Sequence, residues 1–218
     1  MNSSSEDHPT RRSQSANTRR YDRIARFYST LEPLYLIFPP ARRRAVAALG
    51  LKAGDIVLEI GAGSGRNLPY LVEAVGPSGT ILAVDASQGM LAEAQKLVER
   101  RGWSNVRLLH QDATQLEVDR DVDGVLFSLS YSAMPEPRPA LARAWARLRP
   151  SSRVVVMDAG LTQGGLWRLL APIARLLVKY APGDAYSDPW TDLAQYGPVE
   201  TRRFLAGFCY VSTVTKPQ

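Results

Sequence analysis

The stretch VLEIGAGSGRNLPYL, Val57 to Leu71, decides the fold of this chain. It joins an apolar run typical of a buried strand to a segment with helical spacing, and Gly61, Gly63 and Gly65 lie between the two. At the carboxyl end of a first parallel strand, such a loop turns the N–H groups of the next helix toward a ligand. We expect the glycines to let that ligand approach closely, because a Cβ there would occupy its space. A tight turn with no ligand is the alternative.

Strands and helices alternate on both sides of this loop. The predicted strands are Ile56 to Ile60, Thr80 to Asp85, Val106 to Leu109, Gly124 to Leu129 and Arg153 to Met157. The predicted helices are Ala41 to Leu49, Leu68 to Val75, Met90 to Arg101 and Pro139 to Leu148. This alternation predicts an α/β fold with a Rossmann-like, doubly wound and mostly parallel sheet. Near the C-terminus, VETRRFL and CYVSTVT predict a closing antiparallel hairpin, which makes about seven strands.

Composition limits the classes of protein to which the chain can belong. Its 218 residues suit one hydrophobic core. The formal net charge is +6, but the first 48 residues carry nine arginines and four acidic residues, so the charge is concentrated at the N-terminus. We therefore expect no nucleic-acid partner along the whole domain. The single cysteine, Cys209, excludes intramolecular disulfides and a zinc site of several thiolates; we interpret it as a core residue and predict no metal.

The sequence divides into three parts. Residues 1–18 are polar and predict a disordered tail, residues 19–50 predict amphipathic helices with arginines beside an apolar face, and residues 51–218 form the main domain. We find no secretory signal and no apolar run long enough to cross a bilayer, so we expect a cytoplasmic protein. The basic helix near Arg19 and the segment Leu166 to Tyr180 could dock on the inner face of an anionic membrane. Each apolar face could instead pack on the sheet or cover a ligand.

Residues around the glycine loop narrow the choice of ligand. Arg66 occupies the position of the third glycine in the dinucleotide-binding pattern, and no P-loop lysine is present, which disfavours NAD, FAD and nucleoside triphosphates. Asp85 ends the second predicted strand, where a carboxylate can accept both hydroxyls of a ribose, although it could also be a turn residue. Glu59 ends an otherwise buried strand. This favours a role in ligand binding over a helix cap.

Five motifs follow one another between Val57 and Gly160, and the resemblance that they carry covers about Tyr21 to the C-terminus: VLEIGAGSGRNL, ILAVDASQGML, LLHQDATQL, DGVLFSLSYSAMPEP and LRPSSRVVVMDAG. In this order they resemble the class I S-adenosylmethionine-dependent methyltransferases. Within that family, GRNLPYL and YDRIARFYSTLEPLY are most similar to the branch of bacterial phospholipid N-methyltransferases and quinone methyltransferases. The resemblance implies S-adenosylmethionine as the cofactor.

The resemblance also implies roles for individual residues. Glu59 would lie near the amino group of the methionine part, and Asp85 would bind the ribose hydroxyls. Met90 would cover the adenine, and Asp112 would face its amino group with Ala113 beside it, unless Asp112 is simply a loop residue. The complete predicted cofactor-binding set is Tyr21, Glu59, Gly61, Ala62, Gly63, Gly65, Asn67, Asp85, Ala86, Met90, Asp112, Ala113 and Ser128.

Methyl transfer from a sulfonium requires mainly alignment and desolvation of the reactants, so the lack of a recognisable triad does not argue against an enzyme. Residues Ser128 to Met134 follow the fourth strand and should face the reacting methyl group. We predict Tyr131 as the catalytic residue that faces the substrate, with Tyr28 as a second candidate. Tyr21 and Tyr28 could close over the cofactor or belong to ordinary packing.

The acceptor is the least determined part of the prediction. SLSYSAMP lacks the Asn/Asp-Pro-Pro-aromatic pattern with which amino-methylating DNA enzymes hold a flipped base. We expect an amphipathic acceptor, with the amine head group of a phospholipid as the first hypothesis. C- or O-methylation of a prenylated quinone or of a soluble small molecule is the alternative. A non-catalytic, cofactor-binding protein at a membrane is the alternative from another class.

Overall fold

The computed structural model describes residues 18–19, 21–22, 39–159, 188–204, 207 and 209–218. Residues 18–19 and 21–22 are helical. The predicted tail up to residue 17, Tyr28 and the segment Leu166 to Tyr180 lie outside the described residues. None of the described helices is long and apolar enough to cross a membrane.

The described elements alternate in the predicted way. In chain order they are α1 (Pro39–Leu49), β1 (Ile56–Ile60), α2 (Leu68–Val75), β2 (Thr80–Asp85), α3 (Gln88–Arg101), β3 (Val106–His110), a 3₁₀ turn (Ala113–Gln115), β4 (Val122–Ser128), α4 (Pro137–Arg147), β5 (Leu148–Ala159), α5 (Pro189–Leu193), β6 (Val199–Phe204) and β7 (Cys209–Thr215).

The strands form one seven-stranded sheet in the order β3-β2-β1-β4-β5-β7-β6. Strands β1 to β5 run parallel, and β7 pairs antiparallel with both β5 and β6. This confirms the predicted doubly wound sheet and its C-terminal hairpin. The chain reverses its direction of winding between β1 and β4, so a crevice opens at the carboxyl ends of these strands.

Apolar side chains cover both faces of the sheet. In β1, Val57 belongs to the core cluster that includes residues of α1 and α2. Leu58 and Ile60 belong to the cluster on the other face, which includes residues of α4. All three side chains are fully buried. Burial on both faces explains why the parallel strands are apolar almost throughout rather than alternating.

One boundary differs from the prediction because of a bulge. The Arg-Pro-Ser-Ser segment was expected to separate a helix from the strand at Arg153, but β5 already begins at Leu148, which pairs with Val122. The register then shifts, so that Gly124 pairs with Arg153. Ser151 has a φ of 63° and donates its N–H to the Lys216 carbonyl. A strand that contains a bulge can therefore resemble a break in the sequence.

Candidate active site

An open cavity lies where the strands β1, β2 and β4 end. Together with the solvent at its mouth it encloses about 960 Å³. Its walls come from the loops that follow β1 to β4, from α1 and from the helical residues Thr18 and Tyr21. The predicted cofactor-binding residues that line it are Tyr21, Gly61, Ala62, Gly63, Asn67, Asp85, Ala86, Met90, Asp112, Ala113 and Ser128. Glu59 and Gly65 do not line the cavity.

The three glycines of the loop have different functions. A Cβ on Gly61 would lie 2.4 Å from the Ser130 Cβ, and a Cβ on Gly65 would lie 2.7 Å from Leu68 Cδ1. At Gly63, with a φ of 56°, a Cβ would meet nothing within 4 Å. The expectation that all three glycines make room for a ligand is therefore wrong for Gly61 and Gly65, whose missing side chains permit packing. Only Gly63 leaves space on the cavity side.

Asp85 is held so that its carboxylate faces the cavity. The Gly63 N–H donates to Oδ2 and the Ser87 N–H donates to Oδ1, each at 2.8 Å. Burial raises the pKa of Asp85, whereas the two N–H groups act to lower it. Each carboxylate oxygen has further lone-pair capacity for a hydroxyl donor. This geometry suits the diol of a ribose.

Asp112 also lines the cavity, but its Oδ1 accepts from the backbone N–H and the hydroxyl of Thr114, both at 2.9 Å. It therefore caps the 3₁₀ turn that carries Ala113. Met90 is 2% exposed and also lines the cavity. Met90 and Ala113 contribute apolar side chains to the cavity wall, which suits a flat ring such as adenine.

A buried polar network closes the cavity at the ends of β1 and β4. The Asn67 amide donates to Glu59 Oε1, and Arg42 Nη1 donates to Asn67 Oδ1 at 2.9 Å and to Ser128 Oγ at 3.4 Å. Glu59 is fully buried, and burial raises its pKa to about 7. Arg42, Asn67 and Ser128 line the cavity. Glu59 thus acts on this end of the cavity through Asn67 and Arg42.

The position of Tyr131 contradicts its predicted catalytic role. Its side chain is fully buried, packs edge-to-face on Phe127 with ring centroids 5.4 Å apart, and donates its hydroxyl to Asp192 Oδ2 at 2.9 Å. Burial raises the pKa of its phenol. Ser130 and Met134 line the cavity, whereas Tyr131 turns into the core between them. Tyr28, the second candidate, lies outside the described residues.

The loop after β4 is tied to three different elements. The Ser130 hydroxyl donates to the Ile60 carbonyl at 2.7 Å, Tyr131 reaches Asp192 of α5, and the Ser132 N–H donates to Asp158 Oδ2 at the end of β5 at 2.9 Å. The loop begins at Leu129, whose φ of 56° is unusual for a residue with a side chain. Residues in this region of φ and ψ cluster at functional sites.

Several cavity residues were missed by the sequence analysis. Arg42, Ser64, Arg66 and Glu136 all line the cavity. Arg42 precedes the motif region, and no local pattern links it to Asn67, 25 residues away. Glu136 lies two residues beyond the segment that was predicted to face the substrate. Ser64 and Arg66 are inside the glycine loop and could have been inferred from their neighbours.

The cavity fits S-adenosylmethionine on three observations. Glu59 Oε2 and Ser64 Oγ are buried and have no hydrogen-bond partner in the described part of the chain. Buried polar atoms without partners are rare and indicate an additional ligand or water. Gly63, next to Ser64 in the chain, leaves open space, and Asp85 presents a carboxylate to the cavity. These features suit the polar groups of S-adenosylmethionine.

A family model for a methyltransferase domain matches residues 57–151, which run from β1 into β5. With the sheet order and the cavity described above, this match supports a class I S-adenosylmethionine-dependent methyltransferase. S-adenosylmethionine is its cofactor, and the protein is an enzyme. The alternative of a protein without catalytic activity is therefore set aside.

Three named relatives support this methyltransferase assignment. The aklanonic acid methyltransferase of Streptomyces sp. strain C5 is 29% identical over 79% of this chain and 78% of its own. The phosphatidylethanolamine N-methyltransferase of Cereibacter sphaeroides is 34% identical over 54% of this chain and 56% of its own. The demethylmenaquinone methyltransferase of Anoxybacillus flavithermus is 27% identical over 54% and 50%. The chain matches only about half the length of the last two.

Solved structures agree with the fold of this methyltransferase. A SAM-dependent methyltransferase from Aquifex aeolicus superimposes with a TM-score of 0.61 at 23% identity, covering 79% of this chain and 87% of its own. The S-adenosylmethionine-dependent methyltransferase SibL superimposes with a TM-score of 0.70 at 20% identity, covering 91% and 62%. At such identities the likeness concerns the fold alone.

Proposed function

We propose that this methyltransferase transfers a methyl group to an amine acceptor, the head group of a phosphatidylethanolamine-type phospholipid. The proposal depends on one observation, the position of Glu136. Its exposed side chain lines the cavity in the loop after β4, together with Ser130 and Met134. Among the described cavity residues it is the charged side chain that belongs to this loop.

A carboxylate at this position selects acceptors by charge. It attracts an ammonium group and repels an acidic acceptor, and because its side chain is exposed, dissolved salt weakens both effects. The charged residues Arg42, Arg66, Asp85 and Asp112 line other walls of the cavity, at α1, the glycine loop and the ends of β2 and β3. Glu136 is therefore free to serve the acceptor rather than the donor.

The reaction requires the acceptor nitrogen to be neutral. Glu136 would hold the incoming ammonium by charge, and the proton that the nitrogen must lose before it has a lone pair to donate would leave to solvent at the open mouth of the cavity. S-adenosylmethionine supplies a methyl group on a cationic sulfur, whose bond to carbon breaks, leaving its electron pair on sulfur, as the new bond to nitrogen forms. The chain itself contributes mainly the alignment of the two reactants.

The donor would be held by residues at the opposite wall. Asp85 is suited to the ribose hydroxyls, and Met90 and Ala113 are suited to the adenine ring. Arg42, which Asn67 and Ser128 hold in place, has the planar set of donors that suits a carboxylate. We assign to it the carboxylate of the methionine part. With the donor held in this way, its methyl group would be available to an acceptor at the loop that carries Glu136.

The named relatives support more than one acceptor. The name phosphatidylethanolamine N-methyltransferase agrees with the amine proposal. The relative that aligns over 79% of this chain is named an aklanonic acid methyltransferase, and another a demethylmenaquinone methyltransferase. C- or O-methylation of a soluble or prenylated aromatic acceptor is therefore the second candidate. Such an acceptor would not require Glu136.

The test is a direct comparison of acceptors. The full chain would be incubated with methyl-labelled S-adenosylmethionine and detergent-dispersed phosphatidylethanolamine, a reduced prenylated naphthoquinone, or an aromatic carboxylic acid. We expect label on the amine, and for Glu136→Gln a KM for the amine about tenfold higher or more, because a hydrogen bond to a charged group is lost. Label on an aromatic acceptor alone, unaffected by Glu136→Gln, would transfer the assignment to the second candidate.

A further inference from the structure

Three consecutive arginines in the first half of α1 point in three directions. Arg42 enters the cavity. The guanidinium of Arg43 lies 5.7 Å from the ring centroid of Tyr70, and that of Arg44 lies 4.8 Å from the ring centroid of Phe204. Phe204 is the last residue of β6 and, through Cys209, lies level with Ala159 at the carboxyl end of the sheet, the end at which the cavity opens. The same short stretch of helix therefore reaches both the cavity and a surface at the same end of the sheet.

The stability of α1 does not explain these arginines. The helix contains no acidic residue, so it has no internal ion pair. Basic residues stabilise a helix in its last turn, and the last turn of α1 contains none. The guanidinium groups of Arg43 and Arg44 are exposed, and neither forms a salt bridge with a residue in the described ranges. Their only specific contacts there are with aromatic rings.

A third exposed arginine lies next to the end of β6. Arg203 is held 4.9 Å from the ring centroid of Trp190, which packs edge-to-face on the buried Tyr210. Because Arg203 and Phe204 are adjacent in a strand, they project from opposite faces of the sheet. We name the three pairs Arg43–Tyr70, Arg44–Phe204 and Arg203–Trp190 the arginine–aromatic rim. The pairs at β6 lie at the carboxyl end of the sheet, the end at which the cavity opens.

The chemistry of the rim indicates its partner. Stacking on a ring leaves the guanidinium donors exposed and holds them in place, and a planar guanidinium binds phosphate oxygens with two hydrogen bonds. Tyr70, Phe204 and Trp190 are partly exposed, and aromatic side chains of this kind favour the head-group level of a bilayer. A nucleic acid would require a wider basic surface than the nearly neutral chain after residue 48 provides.

We propose that the arginine–aromatic rim is a docking surface for anionic phospholipids, and that it turns the mouth of the cavity toward the membrane. The choice of a phospholipid rests on the proposed function, since the acceptor amine would then lie at the same head-group level. The docking itself does not require that the acceptor be a phospholipid. Arg42 lines the cavity, and the rim begins at Arg43, the next residue of α1. The cavity and the rim therefore share this helix.

Vesicle binding by the full chain tests the proposal. Co-sedimentation would be measured with phosphatidylcholine vesicles that contain or lack phosphatidylglycerol, for the wild type and for the Arg43→Gln/Arg44→Gln double variant. The matched control is Arg100→Gln/Arg101→Gln, which removes the same charge from exposed positions at the end of α3. Each arginine at an anionic surface contributes about fivefold in affinity, so we expect the rim variant to bind about thirtyfold more weakly and the control to bind nearly as the wild type does.

Each result of these binding experiments supports or overturns the proposed docking surface. Equal losses in the rim variant and the control would show that only diffuse charge matters, and equal binding to vesicles without phosphatidylglycerol would show that anionic head groups are not recognised. Either result overturns the proposal, as does binding to duplex DNA with the same dependence on Arg43 and Arg44 and no binding to vesicles. Calorimetry with S-adenosylmethionine verifies that each variant is folded. If the wild type binds vesicles through the rim but does not methylate dispersed phosphatidylethanolamine, the docking surface stands and the proposed acceptor fails.

Discussion

Asp22 connects the N-terminal segment to Ser87 at the start of α3. Its Oδ1 accepts from the Ser87 hydroxyl at 2.5 Å and from the Gly89 N–H at 3.0 Å. Ser87 also donates its N–H to Asp85, the carboxylate that we assign to the ribose. Thr18 and Tyr21, next to Asp22, line the cavity. The attachment of the segment and the position of Asp85 therefore depend on the same serine.

Asp22→Ala should weaken cofactor binding. Hydrogen bonds to a charged group are each worth about 1.5 to 3 kcal/mol, so loss of this attachment should let the cofactor leave about tenfold faster or more. Stopped-flow displacement of S-adenosylmethionine measures that rate. Asp119→Ala, at an exposed aspartate that pairs with its neighbour Arg120, is the control. Equal dissociation rates for both variants would show that Asp22 does not hold the segment over the cofactor.

The two substitutions Gly61→Ala and Gly63→Ala should separate folding from binding. A Cβ at Gly61 collides with Ser130, so we expect Gly61→Ala to lower the free energy of unfolding by about 2 kcal/mol or more. At Gly63 the backbone strain costs about 1 to 2 kcal/mol, but the new methyl group enters the space left for the cofactor. Chemical denaturation and calorimetry measure the two effects. A Gly63→Ala variant with unchanged cofactor affinity would contradict this division.

Tyr131→Phe should act on stability and leave catalysis nearly intact. The variant loses a buried hydrogen bond to Asp192, which keeps its contact with Arg138 at 2.7 Å. We expect the free energy of unfolding to fall by about 1 to 3 kcal/mol. Thermal unfolding and initial rates at saturating cofactor provide the measurements. A large loss of kcat in a variant that is as stable as the wild type would restore Tyr131 as a substrate-facing residue.

Glu59 should make stability depend on pH. Burial raises its pKa from the ordinary 4.5 to about 7, so the folded state binds the proton more tightly than the unfolded state. The contribution of this proton to the free energy of unfolding is fully present below about pH 4.5 and is lost as the pH rises to about 7. Burial raises the pKa of Asp85 and Asp158 as well, so the wild type must be compared with Glu59→Gln.

The comparison isolates the contribution of Glu59. Denaturation midpoints measured from pH 4.5 to pH 8 without cofactor should fall more steeply for the wild type than for Glu59→Gln. Parallel curves would mean that Glu59 titrates normally in the folded protein.

The sequence predicts those features that depend on local patterns. The strands β1 and β2 have the predicted ends, because apolar runs bounded by glycine or an acid are local signals. The bulge in β5 was missed because it depends on pairing with Val122, far away in the chain. Tyr131 was misplaced for a related reason. A tyrosine after β4 was expected to face the substrate, but the turn at Leu129 and the hydrogen bond to Asp192 of α5 direct its side chain into the core.

The residues of the candidate active site can likewise be predicted only where the pattern is local. Motifs predict Asp85, which ends β2, and Asn67, which closes the glycine loop before α2, because both lie within local sequence patterns. Arg42 and Glu136 come from a helix before the first motif and from the far end of a loop, so only the packed chain brings them to the cavity. The motif also could not show that the missing side chain of Gly61 serves Ser130 rather than a ligand.

The triple attachment of the loop after β4 limits how this enzyme can change its acceptor. Ser130 and Tyr131 each attach the loop to a different element, β1 and α5, so substitutions there would alter folding before they altered the preference for an acceptor. Met134 and Glu136 follow these attachments and still face the cavity. A flexible thioether adapts its shape, and an exposed carboxylate can be exchanged for a neutral group at little cost in stability. Directed evolution toward new acceptors should therefore collect its first successful changes at these two positions.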